Sequence, residues 1–233
     1  MKAVLLMAGK GTRMAKYYEG PKQLLPVLGK PILEHLLDNM PEEVTDLIFV
    51  VGGPHEQTIR NHFAAGQYGG RPITFIVQKE QLGLAHAFKT AKEYMDEKWL
   101  GLIADDIIDP GALKALANQG ELSVLAYRVP NPENFGVLVT DEQGYLKYAV
   151  EKPKEFVSDL VWTGHMLMDE EFMNIDIKPS ARGEYETPGV WMKLIERGRK
   201  IKVVESDFWL PINDKQQLEE AERIMKEKGV ISN

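Results

Sequence analysis

Val4-Leu5-Leu6-Met7-Ala8-Gly9-Lys10-Gly11-Thr12-Arg13, followed by Pro21-Lys22-Gln23-Leu24-Leu25-Pro26, is the stretch on which the fold of this chain turns. A short apolar run predicts a buried strand. It breaks into a loop with two glycines and three nearby cations, Lys10, Arg13 and Lys22. Gly9 and Gly11 carry no Cβ, so backbone N–H groups there can approach anionic oxygens closely. The loop is not a Walker A motif, since no Gly-Lys-Ser/Thr closes it, and Met14 stands where the third glycine of G-x-G-x-x-G would fall. Two glycines also suit a turn that merely ends a strand, so the motif alone marks an anion-binding loop or a strand exit.

Further apolar runs at 47–51, 73–77 and 100–104 read as buried strands, bounded by Gly, Pro or charge. Helical patterns lie between them. Ile32, Leu33, Leu36, Leu37 and Met40 form one stripe behind Pro31, and Leu84, Ala87, Phe88, Ala91 and Met95 predict a second helix over 82–95. Alternating strands and helices imply right-handed crossovers and a mainly parallel sheet, which binds ligands at the carboxyl ends of its strands. The Gly9–Gly11 loop and Asp105 both stand at such ends, so they are expected to share one crevice. The later sequence is richer in strands, at 123–129, 136–140, 144–150, 161–168 and 202–204. A hairpin turn at 141–144, a helix at 188–197 and a last helix capped by Asp214 and Gln217 complete the pattern. With no linker or repeat, the expectation is one domain over 1–233.

The chain has 233 residues, 44% hydrophobic and 27% charged, which suits a globular α/β domain. A net charge of −7 argues against a general nucleic-acid or membrane-surface binder, so a phosphate site must be a local basic pocket. The absence of cysteine excludes disulfides, thiolate zinc sites and cysteine nucleophiles. The first apolar run is too short for a signal-peptide core, and no stretch reaches membrane-spanning length. A cytoplasmic protein is expected.

Asp105 and Asp106 end the 100–104 run. Carboxylates at a strand end suit Mg²⁺, which takes one or two of them plus phosphate oxygens. A helix cap is the alternative, and Asp109 before Pro110-Gly111 fits that role better. The loop from Gln78 to Gly83 offers an amide to a base edge and a glycine on which a base can lie, or else simply begins a helix. Glu151-Lys152 could hold hydroxyls and a phosphate, or form a solvated strand end. The five histidines show no metal-ligand spacing.

Taken in order, these segments resemble the sugar-phosphate nucleotidylyltransferase family along nearly the whole chain. Leu6 to Arg13 is similar to L-A-A-G-x-G-T-R, and Pro21-Lys22 and Lys30-Pro31-Ile32-Leu33 continue it. Gln78 to Ala87 resembles the family's base-recognition segment, and Ala104-Asp105-Asp106 its metal strand. Phe135-Gly136-Val137, Glu151-Lys152-Pro153, Thr163-Gly164 and Gly183-Glu184-Tyr185-Glu186 follow in the family's order. The resemblance implies a Rossmann-like, three-layer α/β nucleotidyltransferase fold with a mixed, mainly parallel sheet. Its nucleotide-binding half would span about 1–120, and a β-rich sugar-phosphate half with the last helix about 121–233.

The resemblance also implies Mg²⁺-dependent transfer of a nucleotidyl group, from UTP or dTTP, to a sugar 1-phosphate. Ala8, Gly9, Gly11, Thr12, Arg13, Gln78 and Gly83 would bind the nucleotide, with Arg13 and Lys22 catalytic. Gly136, Glu151, Lys152 and Gly164 would hold the sugar phosphate. The family often ends its site with W-[LI]-D, but Pro211 replaces that Asp. Ile212-Asn213-Asp214 instead resembles N-acetylglucosamine-1-phosphate uridylyltransferases, which implies Asp105 and Asn213 as metal ligands and Asp214 as a helix cap. The acid of the family's Glu-x-Thr-Asp is replaced by Gly189. Trp162 stands where those enzymes carry a sugar-contacting Asn, which counts against an amino sugar. No hexapeptide-repeat segment is present, so acetyl transfer is not expected. The competing readings are a CTP-dependent cytidylyltransferase acting on a non-sugar phosphate and a non-catalytic nucleotide sensor. A triphosphate and a sugar phosphate are the expected partners, without nucleic acid or membrane; a homo-oligomer is left open.

Overall fold

The first apolar run forms β1 (Lys2–Leu6) in a computed structural model that describes residues 1–9, 14–95 and 97–229. Val4 and Leu6 enter one core and Ala3 and Leu5 the other. A strand covered on both faces has no solvent side on which to place polar residues, hence the unbroken apolar run. A hairpin of β2 (Pro26–Val27) and β3 (Lys30–Pro31) leads into α1 (Ile32–Asp38). Then come β4 (Asp46–Val51), α2 (Glu56–His62), β5 (Gln67–Tyr68), β6 (Arg71–Val77), α3 (Leu84–Lys89) and β7 (Trp99–Ile103). β7, β1, β4 and β6 lie side by side and parallel.

The chain continues through β8 (Asp106–Ile108), α4 (Pro110–Ala117), β9 (Ser123–Arg128), β10 (Gly136–Thr140), β11 (Leu146–Glu151) and β12 (Leu160–Met168). It ends with α5 (Glu170–Asn174), α6 (Thr187–Glu196), β13 (Lys202–Glu205), β14 (Trp209–Pro211) and α7 (Lys215–Lys228). β12 joins β7 antiparallel and carries β10 and β11 beyond it. β9 pairs with β12, and β13 runs parallel to β9. Among the described residues this gives one mixed ten-stranded sheet. α3 and α6 cover one face; α1, α2 and α4 cover the other. The expected three-layer α/β arrangement is present.

A third, smaller core lies under α7, where Ala221 and Met225 meet Val27, Ile107, Leu210 and Ile212. Its floor is the antiparallel pair β8–β14, with Pro211 opposite Asp106. As expected, Asp214 caps α7: its Oδ1 accepts from Gln217 N at 2.8 Å. The reciprocal bond falls one residue early, from Asn213 N to Gln217 Oε1 at 2.7 Å. Asp109 likewise caps α4.

Most boundaries shift by one or two residues from the sequence reading, β6 for instance starting at Arg71 rather than 73, and two shifts have a clear local cause. The helix expected over 82–95 is α only to Lys89 and continues as a 3₁₀ turn at Lys92–Tyr94. Thr90 and Ala91 already donate across three residues, to Ala87 O and Phe88 O. The tighter winding keeps Ala91 on the buried side, so the apolar spacing alone does not separate the two forms. β11 begins at Leu146 rather than 144, because Tyr145 bridges Lys202 and the 141–144 turn occupies the preceding residues.

Candidate active site

Leu6 pairs with Val50 on one side and Ile103 on the other. The chain therefore leaves β1 and β7 at the same level, and Ala8, Gly9 and Asp105 line one cleft of about 350 Å³. Gln78, just past β6, and Gly83, just before α3, line it too. Gln78 is 5% exposed and its backbone N–H donates to Val51 O at 2.8 Å. Gln81 Nε2 donates to Ala8 O and ties this loop to the end of β1.

Gly83 cannot be another residue at little cost. Its φ is +108°, and a Cβ there would lie 2.7–2.8 Å from the Tyr185 backbone. That backbone is fastened to the loop by Tyr185 N–H to Leu82 O, 2.7 Å, and Ala85 N–H to Tyr185 O, 3.0 Å. The pairing brings Glu184 to the cleft wall.

A larger cavity of about 690 Å³ adjoins the first, sharing Leu84, Ile103 and Asp105 with it. Lys22, Asp106, Gly136, Glu151, Lys152, Gly164 and Asn213 line it. Gly136 faces Glu151 across β10–β11, and a Cβ at Gly136 would come within 3.0 Å of Glu151 Oε2. The glycine makes room for the carboxylate. Burial raises the Glu151 pKa, and the charges of Lys152 and Arg182 only partly oppose this. Lys152 Nζ and Arg182 Nη2 each stand 3.9 Å from Glu151 Oε1, beyond hydrogen-bond length. Glu151 thus keeps acceptor capacity toward the cavity. Lys152 itself holds φ +46°, a left-handed conformation uncommon for a non-glycine residue and concentrated at functional sites. Gly164, φ +95°, lies against Ile103 where any Cβ would collide at 2.8 Å.

Lys22 lies on the wall of the larger cavity, against a buried carboxylate. Its Nζ lies 2.9 Å from Asp105 Oδ2 and 3.2 Å from Asp106 Oδ1. Burial disfavours its charge, yet Asp106 and Asp105 outweigh that and raise its pKa. Asp106 also accepts from Trp209 Nε1 at 3.2 Å and Ile212 N at 3.3 Å. Burial and the neighbouring Asp105 charge nevertheless raise its pKa, against the pull of Lys22. The two pKa directions reflect one fact: two carboxylates share one ammonium, leaving the cluster short of positive charge.

His165, next to Gly164 in β12, is fully buried, and Thr163 Oγ1 lies 3.1 Å from its Nδ1. Its Nε2 has no partner among the described residues. Burial lowers its pKa to about 4, against the Thr163 backbone bond and the Asp105 charge. The folded state therefore favours the neutral ring. That contribution is present above the unfolded pKa of 6.5 and is lost as pH falls toward 4, on the order of 3 kcal/mol. Urea midpoints at pH 7 and pH 4.5 should differ less in His165→Gln than in the parent; equal differences would refute this origin.

The described site residues predicted from sequence all line one or both cavities: Ala8, Gly9, Lys22, Gln78, Gly83, Asp105, Gly136, Glu151, Lys152, Gly164 and Asn213. Gly11, Thr12 and Arg13 lie outside the described residues. The sequence reading did not single out Asp106 as anchor, Gln81, His86, or Asn131 and Asn134 on the larger cavity's wall. Asn134 directly precedes Phe135-Gly136, a proximity that could have flagged it. The four tryptophans are buried, although Trp162 and Trp209 also face the larger cavity.

Two adjoining clefts at the carboxyl ends of parallel strands, bordered by Gly9, a lysine and paired carboxylates, lie where α/β sheets bind their ligands. The chain belongs to the nucleotidyl transferase family, matched over residues 2–228, and is an enzyme of that class. It is 35% identical to the UTP–glucose-1-phosphate uridylyltransferase AglF of Haloferax volcanii, covering 98% of each chain. It is also 35% identical, over 90% of its length, to the bifunctional protein GlmU of Methanococcus vannielii, of which it spans 51%. A structure described as a glucose-1-phosphate thymidylyltransferase from Bacillus anthracis, in complex with sucrose, superposes with a TM-score of 0.85 at 26% identity, covering 100% of this chain and 97% of that one. UDP-glucose pyrophosphorylase bound to UDP-glucose shares the fold, with a TM-score of 0.83 at 20% identity over 97% of this chain and 98% of that one.

Proposed function

We propose that this enzyme transfers a uridylyl or thymidylyl group from UTP or dTTP to a sugar 1-phosphate, releasing pyrophosphate. The observation that carries the reading is the pair of cavities meeting at Asp105, with Lys22 against it. One cleft takes the nucleoside, within a nucleotide-binding half of about 1–120, and the other takes the sugar phosphate, within about 121–233. The similarity to AglF supports UTP and glucose 1-phosphate as the first pair to test. Trp162, buried at the larger cavity and donating from Nε1 to His165 O, favours a plain sugar over an acetamido sugar.

A sugar 1-phosphate is largely dianionic at neutral pH, so its oxygen needs no general base to attack the α-phosphorus. The new P–O bond forms as the bond to pyrophosphate breaks, and the leaving group takes the electron pair. Positioning and charge neutralisation then supply most of the rate. Glu151 accepts sugar hydroxyls, Lys152 pairs with the sugar phosphate, and Lys22 turns its ammonium toward the α-phosphate. Arg13 is assigned to the departing phosphates.

The donor set fits Mg²⁺. Asp105 Oδ1 accepts no hydrogen bond among the described residues, Asn213 lines the same cavity, and the two carboxylates share the single ammonium of Lys22. Mg²⁺ held by Asp105 and Asn213 would supply charge neutralisation on the phosphates. A cytoplasmic setting belongs to the same reading.

Pyrophosphate release should be measured for UTP, dTTP, CTP and GTP against glucose 1-phosphate, N-acetylglucosamine 1-phosphate and phosphocholine. Mg²⁺-dependent turnover with UTP or dTTP and a sugar 1-phosphate is expected, and Asn213→Ala should raise the Mg²⁺ requirement about tenfold or more. Turnover only with CTP and phosphocholine, or nucleotide binding with no turnover, would overturn the proposal. An unchanged Mg²⁺ requirement would remove Asn213 from the metal site.

A further inference from the structure

Gln78 is the polar side chain best placed to read a base, but an amide has two faces of opposite hydrogen-bonding sense. Its oxygen only accepts and its NH₂ only donates. Which one meets the base decides which bases fit. The structure gives Gln78 a partner outside the cleft lining: Gln78 Nε2 stands 3.0 Å from His86 Nδ1. Because the amide nitrogen can only donate, Nδ1 accepts, and the neutral ring carries its proton on Nε2. Gln78 Oε1 has no hydrogen bond among the described residues and is left for a ligand.

His86 is itself held in place. It lies in the first turn of α3, and the turn leading into that helix is fastened to Tyr185 by the two backbone bonds described above. Its carbonyl accepts from Thr90 Oγ1 at 3.1 Å, and its ring lies 6.3 Å from the Tyr185 ring. With the backbone of Gln78 pinned to Val51 and its side chain 5% exposed, the amide has little freedom except to flip.

We propose that His86 is a positioning residue for base selection: by accepting from Gln78 Nε2, it turns the amide oxygen toward the base. The inference rests on the reading that the smaller cleft holds the nucleoside. An outward oxygen requires a donor on the base edge. Uracil and thymine present N3–H there, whereas cytosine presents an unprotonated N3 whose lone pair would face that oxygen. A mispaired buried acceptor is how a site rejects a close isostere.

The test uses an isosteric pair of variants. Asp Oδ1 occupies the same place, two bonds from Cβ, as His Nδ1, and it only accepts; Asn can present either sense. The parent enzyme should favour UTP over CTP in kcat/KM by about 10²-fold or more. His86→Asn should cut that ratio at least about tenfold by letting the amide flip, while His86→Asp keeps it. A parent-like ratio in His86→Asn overturns the proposal. So does an equal loss of the ratio in both variants, which would mark His86 as structural only. Should the variants fail to fold, ¹⁵N-histidine NMR of the parent with UMP bound reads the tautomer. Nε2–H at His86 supports the lock, and Nδ1–H overturns it. A parent enzyme that uses CTP as well as UTP, or no triphosphate, sinks the underlying functional reading instead.

Discussion

Asp105→Ala should reduce turnover at least about 10³-fold while leaving the fold intact, since it removes the carboxylate on which the proposed metal and both cavities converge. Its side chain is 26% exposed and, among the described residues, accepts one hydrogen bond, from Lys22. Losing it leaves Lys22 bonded to Asp106. Asp105 is also among the charges that raise the Asp106 pKa, so its removal turns an overloaded trio into a matched pair. Stability should therefore change by less than about 1 kcal/mol, and a slight gain is within reach. Pyrophosphate release and urea midpoints measure the two halves of this expectation. Activity within tenfold of the parent would end the role assigned to Asp105.

Lys22→Ala should harm both activity and stability, in a pH-dependent way. It removes the ammonium that lines the larger cavity beside Asp105 and lowers turnover about 10²-fold or more. It also leaves Asp106 buried without its cation, a change that costs roughly 3–5 kcal/mol when the carboxylate stays ionised. Asp106 can escape by taking a proton, because burial and Asp105 already raise its pKa and loss of Lys22 raises it further. A carboxylate whose folded pKa exceeds its unfolded value contributes stability at low pH that is lost as pH rises through the folded pKa. The gap between parent and variant should widen from pH 5 to pH 8, by up to about 1.4 kcal/mol per pH unit. Urea midpoints across that range test it, and a constant gap would show that Asp106 does not carry the cost.

Much of this was legible because parallel strands covered on both faces write themselves as apolar runs. β1 and β7 could be read that way, and their ends fixed where Gly9 and Asp105 emerge. The roles of the two aspartates could not be read. Neighbours in sequence, they differ because β8 pairs with β14, more than one hundred residues later in the chain, and that ladder buries Asp106 against Trp209 while Asp105 lines both cavities. Pairing at such distance leaves no periodic trace. His86 was likewise hidden: its helix was visible, but its bond to Gln78 depends on how the turn at 79–83 folds back, which Gly83 and Tyr185 settle together.

The narrow overlap between the two cavities has an evolutionary side. Leu84, Ile103 and Asp105 are the lining residues they hold in common. Substitutions at Gln78 or Glu184 touch one cavity, and substitutions at Asn131, Asn134 or Glu151 the other. On the proposed reading, with one substrate in each cavity, a lineage built on this scaffold could exchange one substrate while leaving the lining of the other untouched.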